Sequence, residues 1–263
     1  MSYTTLKLEF NDTIARLTLN RPDRANSITL EMGRELMAAV ETIRANSQTR
    51  ALVVTGAGKF FCAGADMAEF ERMQTAPREE LQNAVRFWLD AIAQMHHLPM
   101  PVIARINGDA FGGGVGLALA CDLRVMAAGA RLGFVFARVG LSGADAGVTY
   151  FLPRLVGPAR AMEILLQGKV FGAEEAAQAG LVTRVVAAEE LDRATDELAT
   201  RLAGGPPIAT GYTKEGVNES LRRTIDEEFD FEARAQTACL QTADHKEGVK
   251  AFLEKRAHKF VGK

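Results

Sequence analysis

The chain has 263 residues, of which 48% are apolar and 24% are charged, a composition typical of a folded globular protein and not of a disordered one. A chain of this length forms one large domain or two small ones and buries about three quarters of its unfolded surface. The net charge of -2 supplies no general cationic field that would attract nucleic acid or an anionic membrane. The 24 glycines stand out against 8 prolines, and they follow no collagen-like period.

The sequence predicts neither a signal peptide nor a membrane-spanning segment. Residues 1–10 alternate and carry charges early, so they lack the apolar core of a signal peptide. Residues 109–123 form the longest weakly polar stretch, which is too short and too rich in small side chains to span a bilayer. We therefore expect a cytoplasmic protein. The three cysteines are far apart and odd in number, so we expect neither a disulfide framework nor a metal site.

The first elements alternate in the way that predicts a β-hairpin. Residues 6–10 and 14–19 each place apolar side chains at every second position, and Asn11 and Asp12 between them favour a turn. Thr29 is suited to cap a helix with apolar side chains at helical spacing. The pattern then predicts a buried strand at 51–55, a helix at 79–95, a strand at 102–106, a helix at 115–121 and a strand at 123–126.

The second half of the chain becomes increasingly helical. It is predicted to contain helices at 159–166 and 173–179, a strand at 181–186, and a helix at 189–202. Residues 204–207, Gly-Gly-Pro-Pro, are the strongest break in the chain, and everything after them has helical spacing. The expected organisation is therefore a mixed core over 1–203 and a helical region over 204–263 that packs on the core or on another subunit. The three tail helices are predicted at 208–221, 225–240 and 243–255.

A glycine cluster, Gly112, Gly113, Gly114 and Gly116, follows a predicted strand and precedes a predicted helix. It lacks the third glycine of a dinucleotide motif and the Lys-Ser/Thr of a phosphate loop. Glycine permits close backbone approach, and a helix N-terminus exposes unpaired N–H groups that stabilise an anion or an oxygen gaining charge. The alternative is a tight turn that packs a helix close to a strand.

A second segment of small residues, 60–67, also follows a strand and enters a predicted helical turn. Two such segments could each direct one backbone N–H at a shared oxygen, which is how an oxyanion hole is built. With these segments, several motifs in order resemble the crotonase superfamily of enoyl-CoA hydratases and isomerases, over nearly the whole chain. The motifs are LNRP at 19–22, RANS at 24–27, GKFFCAGAD at 58–66, NG at 107–108, ACD at 120–122, LPRLVG at 152–157, GLV at 180–182 and FLEKR at 252–256.

The resemblance implies an α/β fold, a crotonase-like spiral of repeated ββα units over 1–203 that binds acyl-CoA. It further implies a C-terminal helical trimerisation region over 204–263, and hence a homotrimer or a dimer of trimers. Coenzyme A would enter as part of the thioester substrate, with no separate cofactor and no nucleic-acid or membrane partner. By motif position, the backbone N–H groups of Ala65 and Gly113 would polarise the thioester carbonyl and stabilise an enolate.

Further candidate binding residues follow from the same motif positions. Arg24 and Lys255 could contact the phosphates or adenine of CoA, or could be solvated surface charges. Asp66 could instead serve the N-terminus of the next helix, and Trp88 could line either the core or the acyl pocket. The complete set of binding candidates is Arg24, Ala25, Ala63, Gly64, Asp66, Met67, Trp88, Gly112, Phe136, Leu141 and Lys255.

The sequence departs from the superfamily at the two glutamates that its hydratases use to hold and activate water. The corresponding positions are Gly116 and Phe136 or a close neighbour, and neither side chain transfers a proton. Asp145 is the acid that remains nearby, in a loop that resembles that of the isomerases and of the aryl-CoA dehalogenases, with one residue more than in the isomerases. Burial among apolar side chains would raise its pKa and suit it to proton transfer. The expected neighbours are Phe134, Phe136, Leu141 and Trp88.

Asp145 could alternatively cap the helix that follows it. The first functional hypothesis is an enoyl-CoA isomerase-type enzyme in which Asp145 is the single acid and base. A second is a non-standard hydratase, lyase or hydrolase of the same superfamily. A third is a CoA-binding protein that retains the two turns and lacks catalysis.

Overall fold

The computed structural model describes residues 3–263, which form a mixed α/β structure. The strands are β1 (Leu6–Asn11), β2 (Ile14–Leu19), β3 (Ala51–Gly56), β4 (Val102–Ile106), β5 (Ala110–Phe111), β6 (Leu123–Ala127), β7 (Arg131–Gly133), β8 (Val170–Gly172) and β9 (Arg184–Val186). The helices are α1 (Leu30–Ala45), α2 (Met67–Met73), α3 (Arg78–His96), α4 (Gly113–Ala120), α5 (Val148–Val156), α6 (Pro158–Gln167), α7 (Ala173–Gln178), α8 (Leu191–Ala203), α9 (Pro207–Glu219), α10 (Ile225–Leu240) and α11 (Ala243–Glu254). Short 3-10 helices span Pro22–Arg24, Val135–Val139 and Ala188–Glu190.

The strands form two sheets. The larger has the order β1-β2-β3-β4-β6-β9, in which β1 pairs antiparallel with β2 and every later neighbour is parallel. The smaller has the order β5-β7-β8. Strands β4 and β6 lie in the large sheet, and each is followed in the chain by a strand of the small sheet, β5 and β7 respectively. The chain therefore alternates between the two sheets from β4 to β7.

Burial explains why these strands form in these places. All six residues of β3 are buried, as expected for a parallel strand covered on both faces. In the predicted hairpin, β2 buries Ala15, Leu17 and Leu19 and leaves the intervening side chains only partly covered, which confirms the alternation. Thr29 caps α1 as predicted, because its Oγ accepts a hydrogen bond of 3.1 Å from the Met32 N–H.

Some predicted boundaries are wrong for local reasons. α4 starts at Gly113 and not at residue 115, because Gly112 turns the chain with a φ of 51° and the helix begins at once. The strand predicted over 181–186 is only β9, because the Leu181 N–H bonds to the Ala176 carbonyl and closes the end of α7.

The helical tail is attached to the core by an ion pair. Lys214 on α9 lies 2.8 Å from a carboxylate oxygen of Asp122 and also donates to the Met100 carbonyl at 3.1 Å. The same Asp122 carboxylate accepts a hydrogen bond from the Val102 N–H at the start of β4. Among residues 3–263, no helix combines the length and the apolar character that crossing a membrane requires.

Candidate active site

Two loop segments lie side by side at the ends of β3 and β4. The N–H groups of Phe61 and Cys62 donate to the Asp109 carbonyl at 3.1 and 3.2 Å, and the Phe111 N–H donates to the Cys62 carbonyl at 2.9 Å. These bonds place the segment before α2 against the segment before α4. The two small-residue motifs of the sequence, separated by about fifty positions, therefore meet in space.

Gly64 allows the two segments to approach this closely. Its φ is +89°, a conformation that side chains disfavour. A Cβ on Gly64 would lie 2.7 Å from the Phe111 carbonyl oxygen and 3.4 Å from the Gly113 nitrogen. Glycine is therefore needed here both for its backbone conformation and for the space it leaves.

The two predicted donors, the N–H groups of Ala65 and Gly113, are not used by the fold. Within residues 3–263 neither group has a hydrogen-bond acceptor. Gly113 is the first residue of α4, so its N–H has no partner inside the helix. The residues on either side of Ala65 bond to the Ile28 backbone, which leaves the Ala65 N–H directed the other way. Both residues line one cavity of about 80 Å³.

Asp145 borders the same cavity and is half-buried. Its Oδ1 accepts a hydrogen bond of 2.8 Å from the Ala146 N–H, and its Oδ2 lies 3.7 Å from the place where a Cβ on Gly113 would be. Burial raises the pKa of Asp145, and the Ala146 hydrogen bond offsets this only in part. The alternative prediction of a helix cap is wrong, because α5 is capped by Gly147 with no side-chain hydrogen bond.

Gly116, where a hydratase glutamate was expected, is covered by the Asp145 loop. A Cβ on Gly116 would lie 2.5 Å from the Ala146 carbonyl oxygen and would overlap the Ala146 side chain. Ala146 is fully buried and has a positive φ of 48°, so the loop is pressed closely onto α4. The space for a side chain at position 116 is filled by the loop that carries Asp145.

The remaining apolar candidates separate into two groups. Trp88 on α3 is 8% exposed and lines the cavity. Phe136 instead packs behind Gly112, at 3.8 Å from the place of a Cβ there, and Leu141 is 45% exposed on the outer part of its loop. Neither belongs to the cavity wall, and nor does the buried Phe134. Of the four apolar neighbours expected for Asp145, Trp88 therefore shares the cavity with it, whereas the roles expected for Phe134, Phe136 and Leu141 stay predictions.

Asp66 lies at the N-terminus of α2, as one of its two predicted roles required, and it also borders the cavity. It caps α2 through a bond from the Glu69 N–H, and its Oδ2 accepts from Arg21 at 2.9 Å and from Ser27 at 3.0 Å. Burial raises the pKa of Asp66, but these hydrogen bonds and the Arg21 charge outweigh it, so the net pKa is below the ordinary value. Arg21, part of the LNRP motif, holds this carboxylate and was not assigned a role from the sequence.

Arg24 and Ala25 occupy a turn that supports the Ala63 segment. The Ala25 carbonyl accepts a hydrogen bond of 3.0 Å from the Ala63 N–H, and Ala25 has a positive φ of 51°. The buried Asn26 amide donates to the Ala57 and Phe60 carbonyls and fixes the same loop. Arg24 is exposed at the end of its 3-10 helix.

Met67 and Lys255 are also exposed. Met67 begins α2, next to the cavity-lining Asp66, and Lys255 follows the last residue of α11. The structure therefore does not bring Lys255 into the cavity, and its contact with CoA stays a prediction. The cavity wall also contains residues that were not chosen as site candidates from the sequence, namely Ile28, Leu30, Gly33, Glu69, Phe70, Met73, Ala84, Val85 and Phe87. The only sequence pattern that could have identified part of this wall was the helical spacing of Trp88 and the other apolar residues of α3.

The fold and the two facing turns correspond to a known class of proteins. Residues 9–263 match the enoyl-CoA hydratase/isomerase family. The chain is 39% identical to the probable enoyl-CoA hydratase of Rhodobacter capsulatus over the full length of both, and 38% identical to the 1,2-epoxyphenylacetyl-CoA isomerase of Escherichia coli over 95% of each. The crystal structure of an enoyl-CoA hydratase from Bacillus anthracis superposes with a TM-score of 0.93 at 35% identity, covering 99% of this chain and 100% of that one. The chain therefore belongs to the enoyl-CoA hydratase/isomerase family and has the crotonase fold.

Proposed function

We propose that this protein isomerises the double bond of an enoyl-CoA thioester, with Asp145 as the single acid and base. Three carboxylates border the cavity: Asp66, Glu69 and Asp145. Asp66 is held by Arg21 and Ser27, and both oxygens of Glu69 accept from the Leu30 N–H. Only Asp145 retains a carboxylate oxygen, Oδ2, that accepts no hydrogen bond from residues 3–263. This free oxygen beside Gly113 is the main support for a proton-transfer role of Asp145.

The proposed reaction begins when the thioester oxygen accepts hydrogen bonds from the Ala65 and Gly113 N–H groups. Asp145 removes a proton from C2 of a 3-enoyl-CoA, and the C–H electron pair delocalises onto the thioester oxygen as an enolate. The double bond then forms between C2 and C3, and protonated Asp145 returns the proton to C4. No atom is gained or lost, and no water takes part. A raised pKa suits a carboxyl that must both accept and return a proton.

A non-standard hydratase, lyase or hydrolase is the second candidate, and the name of the R. capsulatus relative favours hydration. The packing around Gly116 favours isomerisation instead, because the Ala146 backbone fills the space that a water-holding side chain at this position would need. A CoA-binding protein without catalysis is the third candidate. The unused carboxylate oxygen of Asp145 beside two unused N–H donors argues against it.

The products of 3-hexenoyl-CoA distinguish the three candidates. An isomerase yields a 2-enoyl-CoA of unchanged mass, a hydratase yields a product heavier by one water, and a binding protein yields none. We expect the isomer, and we expect Asp145→Ala to bind the thioester in calorimetry without converting it. Asp90→Ala, which removes an exposed carboxylate paired with Arg86 on α3, is the matched control. Full activity of the Asp145→Ala variant would disprove the assignment.

A further inference from the structure

The indole N–H of Trp88 is buried and has no acceptor in the part of the chain that the structure describes. Trp88 is 8% exposed and is the single tryptophan of the chain. A buried N–H without a partner is costly, so most such groups in proteins are paired. The fold does not use this donor, which indicates that a ligand does.

The position of the ring determines what the donor could reach. The benzenoid edge of Trp88 packs against α1, where a Cβ on Gly33 would lie 3.7 Å from Cε3. The opposite, pyrrole edge faces α4, and Nε1 lies 3.9 Å from the place of a Cβ on Gly113. Asp145 Oδ2 lies 3.7 Å from that same point. The unused donor and the free carboxylate oxygen therefore border one small volume next to the Gly113 N–H.

The side chain of Ile28 closes this volume. Its Cδ1 methyl lies 2.9 Å from the same point beside Gly113. This methyl is the end of a flexible side chain, so it can turn aside by a rotamer change when a ligand enters. The indole N–H is then accessible from the cavity.

We propose that Trp88 Nε1 donates a hydrogen bond to a neutral oxygen on the acyl chain, so that the site selects acyl-CoA thioesters bearing a hydroxyl, carbonyl or ether oxygen near the reacting carbons. This inference rests on the proposed function, because it assumes that the acyl group enters this cavity. The thioester oxygen has its own donors in Ala65 and Gly113, which leaves Trp88 for a second acceptor. A carboxylate is disfavoured, since Asp66, Glu69 and Asp145 already border the cavity and would oppose a further negative charge.

The Trp88 N–H would favour an acyl group that carries an acceptor oxygen over an otherwise identical group that lacks it. A site built to bond an oxygen rejects the analogue that lacks it, because the buried donor then stays unpaired. Methoxyacetyl-CoA and butanoyl-CoA form a suitable pair, since they differ only by an ether oxygen in place of a methylene. Neither has a double bond to isomerise, so their binding is measured independently of turnover.

Calorimetry with these two ligands tests the inference. We expect the wild-type protein to bind methoxyacetyl-CoA about tenfold more tightly, as one additional hydrogen bond allows. Trp88→Phe should abolish this preference and leave the affinity for butanoyl-CoA nearly unchanged. Val85→Ala, which alters the same wall of the cavity without removing a donor, is the matched control and should keep the preference.

Intrinsic fluorescence provides a second readout, because all of the tryptophan signal comes from Trp88. We expect methoxyacetyl-CoA to shift the emission further to the red than butanoyl-CoA does. Equal wild-type affinities for the two ligands would overturn the inference, and so would an equal loss of both in Trp88→Phe, which would assign the indole to the thioester oxygen or to packing. If the wild-type protein bound neither ligand, the proposed acyl-CoA function itself would fail.

Discussion

Asp145 and Gly116 are linked through one residue, Ala146. The Ala146 backbone covers Gly116, and the Ala146 N–H holds Oδ1 of Asp145. The glycine at position 116 on α4 and the aspartate on the loop that covers it are therefore parts of one packing arrangement. Through this coupling the Ala146 N–H holds one carboxylate oxygen of Asp145, and the other accepts no hydrogen bond from residues 3–263.

The pH dependence of the reaction should report the burial of Asp145. The carboxyl must be ionised to remove the first proton, and burial raises its pKa above the ordinary value of 3.8. We predict that kcat/KM for a 3-enoyl-CoA falls on the acid side at a higher pH than an exposed aspartate would produce. A pH profile that stays flat down to the ordinary aspartate range would contradict this.

The same burial predicts that Asp145 lowers stability at neutral pH. Its pKa is higher in the folded than in the unfolded state, so the free energy of unfolding decreases as pH rises from the unfolded pKa through the folded pKa. Asp145→Asn should therefore raise the melting temperature at neutral pH and have little effect below the ordinary aspartate pKa. Thermal denaturation at these two pH values measures the difference. A variant that melts lower at neutral pH would show that the ionised carboxylate stabilises the fold.

For individual residues, the sequence indicated which side chains could transfer a proton but not which residues pack against one another. Asp145 could be selected as a candidate because its loop resembles that of the isomerases and because Gly116 and Phe136, at the positions expected for the hydratase glutamates, carry no carboxyl group. The overlap between Gly116 and Ala146 could not be predicted, because it depends on contact between residues thirty positions apart. The unpaired Trp88 N–H could not be predicted either, since helical spacing places a side chain on a face of the helix but does not identify its hydrogen-bond partners.

At the scale of elements, the site depends on how closely the segments before α2 and α4 approach. Gly64→Ala would bring a Cβ within 2.7 Å of the Phe111 carbonyl and displace the segment that presents the Gly113 N–H. We predict a loss of kcat of about a hundredfold to a thousandfold, the range seen when one oxyanion donor is removed. The measurement is steady-state turnover of a 3-enoyl-CoA.

Gly157→Ala is a matched control for this substitution. Gly157 has a similar positive φ of 80° but nothing within 4 Å of the place of a Cβ. It therefore reproduces the backbone strain without the clash, and we expect reduced stability with kcat nearly retained. Equal losses of kcat in the two variants would show that strain, and not the position of the donor, controls activity.

The positions of helices and strands were predicted correctly where the local sequence pattern was strong. The hairpin, the Thr29 cap and helix α10 agree with their predicted positions. Predictions were least accurate where contacts outside the segment decide, as in the strand expected at 181–186, of which only 184–186 form β9 while the Leu181 N–H closes α7. The division of the strands between two sheets was not predicted from the sequence, because hydrophobic periodicity does not distinguish one sheet from another.

For the whole molecule, the tail helices leave an extensive apolar surface. A groove of about 950 Å³ runs between α9, α10 and α11, and Phe252 at its edge is 83% exposed. Apolar surfaces of this kind are typical of protein interfaces. The resemblance implies that another copy of the chain covers it, as a homotrimer or a dimer of trimers. The other apolar residues of the tail that are more than half exposed are Val217, Leu221, Ile225, Phe229, Leu240, Leu253 and Val261.

We predict that analytical ultracentrifugation will detect trimers or hexamers, and that Phe252→Asp will shift the population toward monomers. A charge in this surface would have to be desolvated on association, which is unfavourable. Lys7→Asp, which places a carboxylate on the exposed side of β1, is the control and should leave the assembly intact. A wild-type protein that sediments as a monomer would contradict the prediction.

In the proposed reaction, Asp145 removes the α-proton of a thioester whose oxygen accepts hydrogen bonds from the Ala65 and Gly113 N–H groups. This step is tested most directly by incubating an acyl-CoA with the protein in D₂O and following the C2 protons by NMR. We predict that the wild-type protein exchanges these protons for deuterium, and that Asp145→Asn binds the same thioester but exchanges them at least about a hundredfold more slowly. Exchange at the wild-type rate in Asp145→Asn would contradict the account.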